Sequence, residues 1–143
     1  MPVRTSQATW NGGLQSGDGE LVVGNNAYTG PFSFKSRFQD GQGTNPEELI
    51  AAAHAGCYSM QLSAMLDGDG KNPTSVHTSA RVTLDTVDGA PTITKISLTT
   101  EGTVPGMSAE EFADYAEKAK AACLVTRALS GVAEVTLAAS LTE

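Results

Sequence analysis

The chain has 143 residues, a formal net charge of -7, 40% hydrophobic and 17% charged residues. That is enough chain to bury one hydrophobic core, and the composition argues against wholesale disorder. The acidic balance argues against a nucleic-acid backbone or an anionic membrane as the main partner. The opening MPVRTSQATWNGG has no apolar run of the secretory kind, and no stretch reaches the roughly 18 apolar residues of a membrane span. The expectation is therefore one cytoplasmic domain over residues 1–143.

Residues 7–13 (QATWNGG) and 19–24 (GELVVG) read as two short strands joined through Gly17-Asp18-Gly19. Residues 31–38 (PFSFKSRF) alternate Phe32 and Phe34 with polar neighbours and predict a third strand. A long helix is predicted from Pro46 to Leu66. Asn45 can cap it, Pro46 suits its first position, and Glu48 stands three residues after the cap, as in a capping box. Its apolar residues run nearly all the way round, so it should be central to the fold. Gly68, Asp69 and Gly70 end it.

Residues 75–86 and 92–103 are rich in threonine and β-branched residues and predict an antiparallel pair turning at Asp88-Gly89. Ser108 and Glu111 form a second capping box. The helix they open carries Phe112, Tyr115, Ala119, Ala122 and Cys123 along one stripe. Residues 131–139 predict a last strand. The order β-β-β-α-β-β-α-β is that of an α+β fold, with no internal repeat, low-complexity tract or linker to divide it.

The two cysteines, Cys57 and Cys123, form no CxxC, and two thiols in a chain of this size do not make a secreted disulfide framework. Three readings stand at this point. The thiols are inert packing residues, a redox couple, or zinc ligands together with His54 and His77. His54 and Cys57 share a helical face at i, i+3. His77 falls in a strand without a paired ligand nearby, and the short spacings of structural zinc sites are missing.

The stretch RFQDGQGTNPEELIAAAHAGCYSM, Arg37 to Met60, resembles the OsmC branch of the OsmC/Ohr family of thiol-dependent hydroperoxide reductases. So do Trp10 with Gly12, PTS at Pro73–Ser75, TITKI at Thr92–Ile96, VPG at Val104–Gly106 and KAKAAC at Lys118–Cys123. The resemblance implies the family's fold: antiparallel sheets on a long central helix, in an intertwined two-fold homodimer. It implies that Cys57 is the peroxidatic cysteine, Cys123 the resolving cysteine, Glu47 the catalytic glutamate and Arg37 its arginine partner. It also implies a part in bacterial oxidative and osmotic stress. One departure is that the family's proline after the resolving cysteine is Leu124 here.

The implied chemistry makes three demands. Thiolate sulfur attacks a peroxide oxygen, so a thiol of ordinary pKa about 8.5 must ionise near neutral pH. The departing alkoxide must be stabilised, and the sulfenic acid captured before further oxidation. Arg37 could meet the first two demands, held by Glu47 through a charge-assisted pair. Cys123 would meet the third by closing a Cys57–Cys123 disulfide. No flavin or nicotinamide fingerprint is present, so the expectation is no bound cofactor and an external dithiol reductant. The apolar surroundings point to organic hydroperoxides as substrates, with hydrogen peroxide used less efficiently. The competing reading is an apolar-ligand-binding or redox-sensing module on the same fold with little turnover. Glu48 reads as a helix cap, His54 as a packed helix histidine and Arg127 as a surface charge.

On a continuous helix the ten residues from Glu47 to Cys57 rise about 15 Å and leave the side chains about 80° from eclipsed. Glu47 and Cys57 of one chain then cannot share one hydrogen-bonded site. The expectation is a homodimer with composite sites, in which Glu47, with or without Arg37, comes from the chain opposite Cys57.

Overall fold

The computed structural model describes residues 1–142. The chain falls into two compact units, Met1–Leu49 and the residues from Ile50 onward.

The first unit opens with a meander of β1 (Ser6–Asn11), β2 (Asp18–Val23) and β3 (Tyr28–Phe32), antiparallel throughout. Trp10 and Phe32 meet at 5.3 Å between ring centroids. The β1–β2 loop is Gly12–Gly17, and Asp18 and Gly19, predicted as part of the turn, already pair in β2. The predicted third strand over residues 31–38 is corrected. The strand ends at Phe32, and Phe34–Phe38 is a short helix, α1. Its signal is a capping box. Ser33 Oγ accepts from the Ser36 N–H at 3.1 Å, and Ser36 Oγ accepts from the Ser33 N–H at 2.8 Å. Phe34 and Phe38, one turn apart, put their rings 5.0 Å from each other. The helical i, i+4 spacing of these rings wins over the apparent alternation of Phe32 and Phe34.

Helix α2 (Pro46–Gly68) begins in the first unit and continues through the second. Asn45 Oδ1 accepts from the Glu48 N–H at 2.8 Å, as a cap should. The reciprocal half of the predicted box is not made, because the Glu48 carboxylate takes the Thr44 hydroxyl at 3.0 Å instead. At the other end Gly70, with φ +70, sits in the left-handed region. Lys71 N–H donates to the Leu66 carbonyl and Gly70 N–H to the Asp67 carbonyl, both at 2.9 Å, which is a Schellman closure.

The second unit pairs β4 (Ser75–Val87) with β5 (Ala90–Thr103), turning at Asp88-Gly89 with both residues at positive φ. Helices α3 (Ala109–Ala122) and α4 (Leu124–Ala128) lead to β6 (Glu134–Leu141). The expectation of purely antiparallel sheets is corrected here, because β6 joins β5 in parallel. The reason is topological: α3 and α4 carry the chain back past β5, as a crossover must before a parallel strand can pair. Only half of the second capping box forms. Ser108 takes the Glu111 N–H at 3.1 Å, while the Glu111 carboxylate pairs with Lys71.

The core of this unit lies between α2, β5 and α3. Tyr58, Leu62 and Leu66 recur every four residues on one stripe of α2 and pack with Ile96 and Leu98 of β5 and Phe112 of α3. Each fully buried side chain of this size contributes about 1.5–3 kcal/mol. Gly102 on β5 is required, since a Cβ there would collide with the Phe112 ring. The threonine-rich face of the hairpin is also used. Thr100 is fully buried, with its hydroxyl 3.0 Å from that of Thr78, which in turn accepts from Ser59 of α2.

Candidate active site

Four side chains were singled out from the sequence, and the structure brings them together as two pairs, one in each unit.

The first pair is Arg37 and Glu47. Arg37 sits on the last turn of α1, not on a strand, and Glu47 is in the first turn of α2. Arg37 Nε donates to both carboxylate oxygens of Glu47 at 3.1 and 3.2 Å, and an Nη donates to Oε1 at 2.7 Å. This fork holds a nearly buried carboxylate against a guanidinium that is 39% exposed. One charge is thus fixed while the other stays available to a further ligand. The loop between them is tied on both sides. Ser36 Oγ donates to the Thr44 carbonyl at 2.7 Å, Asn45 Nδ2 to the Ser36 carbonyl at 2.9 Å, and Thr44 N–H to the Pro31 carbonyl at 2.9 Å. The Phe38 ring lies under the guanidinium, 5.3 Å from its carbon. Arg37 also forms part of the wall of a hollow of about 340 Å³, otherwise mainly aromatic and apolar, with Trp10, Leu14, Phe32, Phe34 and Phe38. The signal that locates this hollow is the aromatic set itself, of which the sequence reading used Phe32 and Phe34 only as the alternation of a strand.

The second pair is Cys57 of α2 and Cys123 at the junction of α3 and α4. Both are free thiols, and their sulfurs lie 3.2 Å apart, at hydrogen-bonding distance, where either can donate. Cys123 is fully buried and Cys57 half-buried. Burial pushes the Cys57 thiol up, helped by the neighbouring Cys123, against an opposing pull from the Val125 and Leu124 N–H groups. Burial also pushes Cys123 up, but the Thr126 N–H, the Cys57 thiol, the Thr126 hydroxyl and the Val125 N–H together bring it below the ordinary thiol value. Leu124, which stands where the resemblance implied proline, is the first residue of α4, and Cys123 serves as the N-cap of that helix.

The two histidines part company. His54 is wholly buried on α2, with Nε2 2.8 Å from Thr126 Oγ1, while His77 is exposed on β4. Among the described residues no three or more His, Cys, Asp or Glu side chains converge as metal ligands. Among the same residues no helix is long and apolar enough to cross a membrane.

The chain matches the OsmC-like protein family over residues 39–138. It is 46% identical over 135 residues to the peroxiredoxin OsmC of Escherichia coli (strain K12), across 94% of this chain and 93% of that protein. A solved organic hydroperoxide resistance protein from Elizabethkingia anophelis superposes with a TM-score of 0.73 at 20% identity, over 99% of this chain and 98% of the other. An OsmC like protein from Mycoplasma pneumoniae gives 0.77 at 14% identity, over 99% of both chains. The structures bear on the fold, and the sequence relative reaches further: the chain belongs to the OsmC-like protein family and, within it, is a thiol-dependent peroxidase of the peroxiredoxin type.

Proposed function

We propose that the protein reduces organic hydroperoxides, and hydrogen peroxide less efficiently, to alcohols and water as part of defence against oxidative and osmotic stress. The observation that carries this reading is the pair of free thiols 3.2 Å apart, one within reach of solvent and the other fully buried. Access selects Cys57 for the peroxide. Its thiolate attacks the terminal oxygen of ROOH, the O–O bond breaks, and RO⁻ leaves and is protonated to ROH. Cys57 becomes a sulfenic acid. Cys123 then attacks that sulfur, the S–S bond forms, and hydroxide leaves to become water. An external dithiol reduces the disulfide and is itself oxidised. No bound cofactor enters this cycle.

Arg37 and Glu47 complete the site in this reading. Burial holds the Cys57 thiol up, so an added cation is needed to ionise it. A guanidinium already fixed by a carboxylate, with its remaining N–H groups free, suits both the thiolate and the departing alkoxide. The apolar hollow beside Arg37 supports an apolar substituent on the peroxide. The working unit is a homodimer with composite sites, and residues 1–143 act as one functional domain, a reading supported by the 46% identity to a peroxiredoxin OsmC over 94% of the chain.

The test is peroxide consumption with a dithiol, comparing hydrogen, tert-butyl and cumene hydroperoxides for wild type, Cys57→Ser and Cys123→Ser. The expected result is repeated turnover fastest with cumene hydroperoxide, none in Cys57→Ser, and a trapped Cys57 sulfenic acid or its overoxidised forms in Cys123→Ser. One round of oxidation without turnover would instead favour a redox-sensing module.

A further inference from the structure

His54 is a buried titratable side chain for which the thiol chemistry has no use. Its Nε2 lies 2.8 Å from Thr126 Oγ1, a bond that ties α2 to α4 within the second unit. Its Nδ1 is buried and has no hydrogen-bond partner among the described residues. A proton on Nδ1 would be a buried donor left unpaired, whereas a bare ring nitrogen is the milder loss. The ring proton therefore sits on Nε2 and is donated to Thr126 Oγ1. Burial lowers the pKa of the ring and keeps it in this neutral form.

The tie falls where α4 has little else to fix it. Cys123 separates α3 from α4 with non-helical backbone, φ -56 and ψ 124, so the direction of α3 does not set that of α4. Leu124 opens α4, and a leucine there places none of a proline's restraint on the residue before it. No residue of α4 is buried. Val125 and the C-cap Leu129 pack against the core only in part, and such contact is non-directional. Among the described residues the bond to His54 is the one hydrogen bond that a side chain of α4 makes to another element. It also runs beside the thiol contact. His54 comes three residues before Cys57 and Thr126 three residues after Cys123, so the two contacts follow each other in antiparallel order. The sulfurs are 3.2 Å apart, within the about 3–3.5 Å at which reacting atoms are poised.

We propose that His54 and Thr126 are a positioning pair for disulfide closure: their hydrogen bond sets α4 against α2 and so keeps the Cys123 sulfur at attacking distance from Cys57. The pair acts through the place of α4, with no part assigned to either side chain at the sulfur itself. In closure the Cys123 thiolate attacks the sulfur of the Cys57 sulfenic acid, the S–S bond forms and hydroxide leaves. A Cys123 sulfur that strays loses the race to a second peroxide molecule, which takes Cys57 to sulfinic acid.

The proposal rests on the reading of Cys57 and Cys123 as the peroxide-reactive and resolving thiols, but its first test needs no peroxide. In a buffer of reduced and oxidised glutathione, the two thiols pass two electrons and two protons to glutathione disulfide. The Cys57–Cys123 bond forms as two glutathione thiols are released. The equilibrium constant is the effective concentration of one thiol at the other, and it is read by alkylating the thiols that remain free. Thr126→Val and His54→Leu should each lower it about three- to tenfold, the worth of one hydrogen bond. Thr126→Ser, which keeps the hydroxyl, should hold the wild-type value. Joining His54→Leu to Thr126→Val should lower it no further, since both remove the same bond. Ile96→Val, a loss of core volume in β5, should lower stability and leave the constant unmoved. With excess cumene hydroperoxide, Thr126→Val should form the sulfenic acid at the wild-type rate. Its ratio of Cys57 sulfinic acid to disulfide should rise about three- to tenfold.

An unmoved constant in Thr126→Val would overturn the pair, as would Thr126→Ser behaving like Thr126→Val. So would an equal fall in Ile96→Val, because the effect would then be one of general stability. Position 126 is only half-buried, so the two Thr126 variants decide the matter even where His54→Leu does not fold. A constant that falls as expected in a protein that never consumes peroxide would uphold the pair and sink the hydroperoxide reading.

Discussion

At the scale of single residues, the two sulfurs are unequal in a way that their shared sequence type does not announce. Cys123 is the more acidic thiol and the less accessible one, whereas Cys57 is reachable but burdened by burial. A peroxidase needs the reachable sulfur ionised first. The missing charge is the part proposed for Arg37, whose fork on Glu47 leaves guanidinium donors unspent. Removing that charge should raise the Cys57 pKa, so the curve of Cys57 alkylation rate against pH should move to the alkaline side in Arg37→Ala. Peroxide attack at neutral pH should fall by orders of magnitude. Arg37→Lys should recover the charge but not the fork, and so only part of the rate. If the alkylation curve of Arg37→Ala overlays that of wild type, arginine has no part in activating the thiol.

At the scale of elements, the helix start around Asn45 binds the first pair together. Asn45 caps α2 through Oδ1 and simultaneously ties α1 through Nδ2 to the Ser36 carbonyl. Asn45→Ala removes both bonds and should cost about 2 kcal/mol, read as a lower denaturation midpoint at unchanged slope. Asn45→Asp keeps the cap acceptor and loses only the tie, so it should cost less. Equal losses in the two variants would show that the tie to α1, rather than the cap, carries the stability.

This region also shows how legible the sequence was. Local chemistry with a long periodic partner could be read directly: Asn45 before α2, Ser108 before α3, Asp88-Gly89 between β4 and β5. Helix α1 could not, because five residues show less than two turns of period and two phenylalanines two apart imitate a strand. The direction of β6 was hidden for a different reason. Strand polarity is set by where α3 and α4 deliver the chain, which no local pattern encodes. Half of each predicted capping box did not form, because the Glu48 and Glu111 carboxylates pair with Thr44 and Lys71 instead. The motif residues Arg37, Glu47, Cys57 and Cys123 were legible through family resemblance. The His54–Thr126 contact, between residues 72 apart, was not, since only the fold brings them together.

At the scale of the whole molecule, α2 poses a question that a single chain does not answer. It is one unbroken helix from Pro46 to Gly68, so the separation of about 15 Å along the axis between Glu47 and Cys57 stands. Its inward stripe is accounted for by the core, but Ala53, Gly56, Met60 and Ala64 form an uncharged face left exposed, with Met60 at 76%. Gly56 is the telling residue. A mid-helix glycine costs about 0.5–1 kcal/mol relative to alanine, yet a Cβ at Gly56 would meet nothing within 4 Å in this chain. The proposed homodimer would give this small residue a reason, in the close approach of a second helix. In the proposed homodimer, a two-fold pairing of α2 helices along this face would be self-complementary and would make two equivalent sites, each with Cys57 from one chain and Glu47, with or without Arg37, from the other. Glu47→Ala and Cys57→Ser should each be inactive alone. Mixed under conditions of subunit exchange, they should regain activity, because a heterodimer assembles one site with both residues intact. The expected recovery is up to one working site in each heterodimer, with recovered peroxide consumption tracking the heterodimer fraction measured by native mass spectrometry. Folded variants that demonstrably exchange subunits and stay inactive would place Glu47 and Cys57 of the same chain in one site, against the geometry of the unbroken helix.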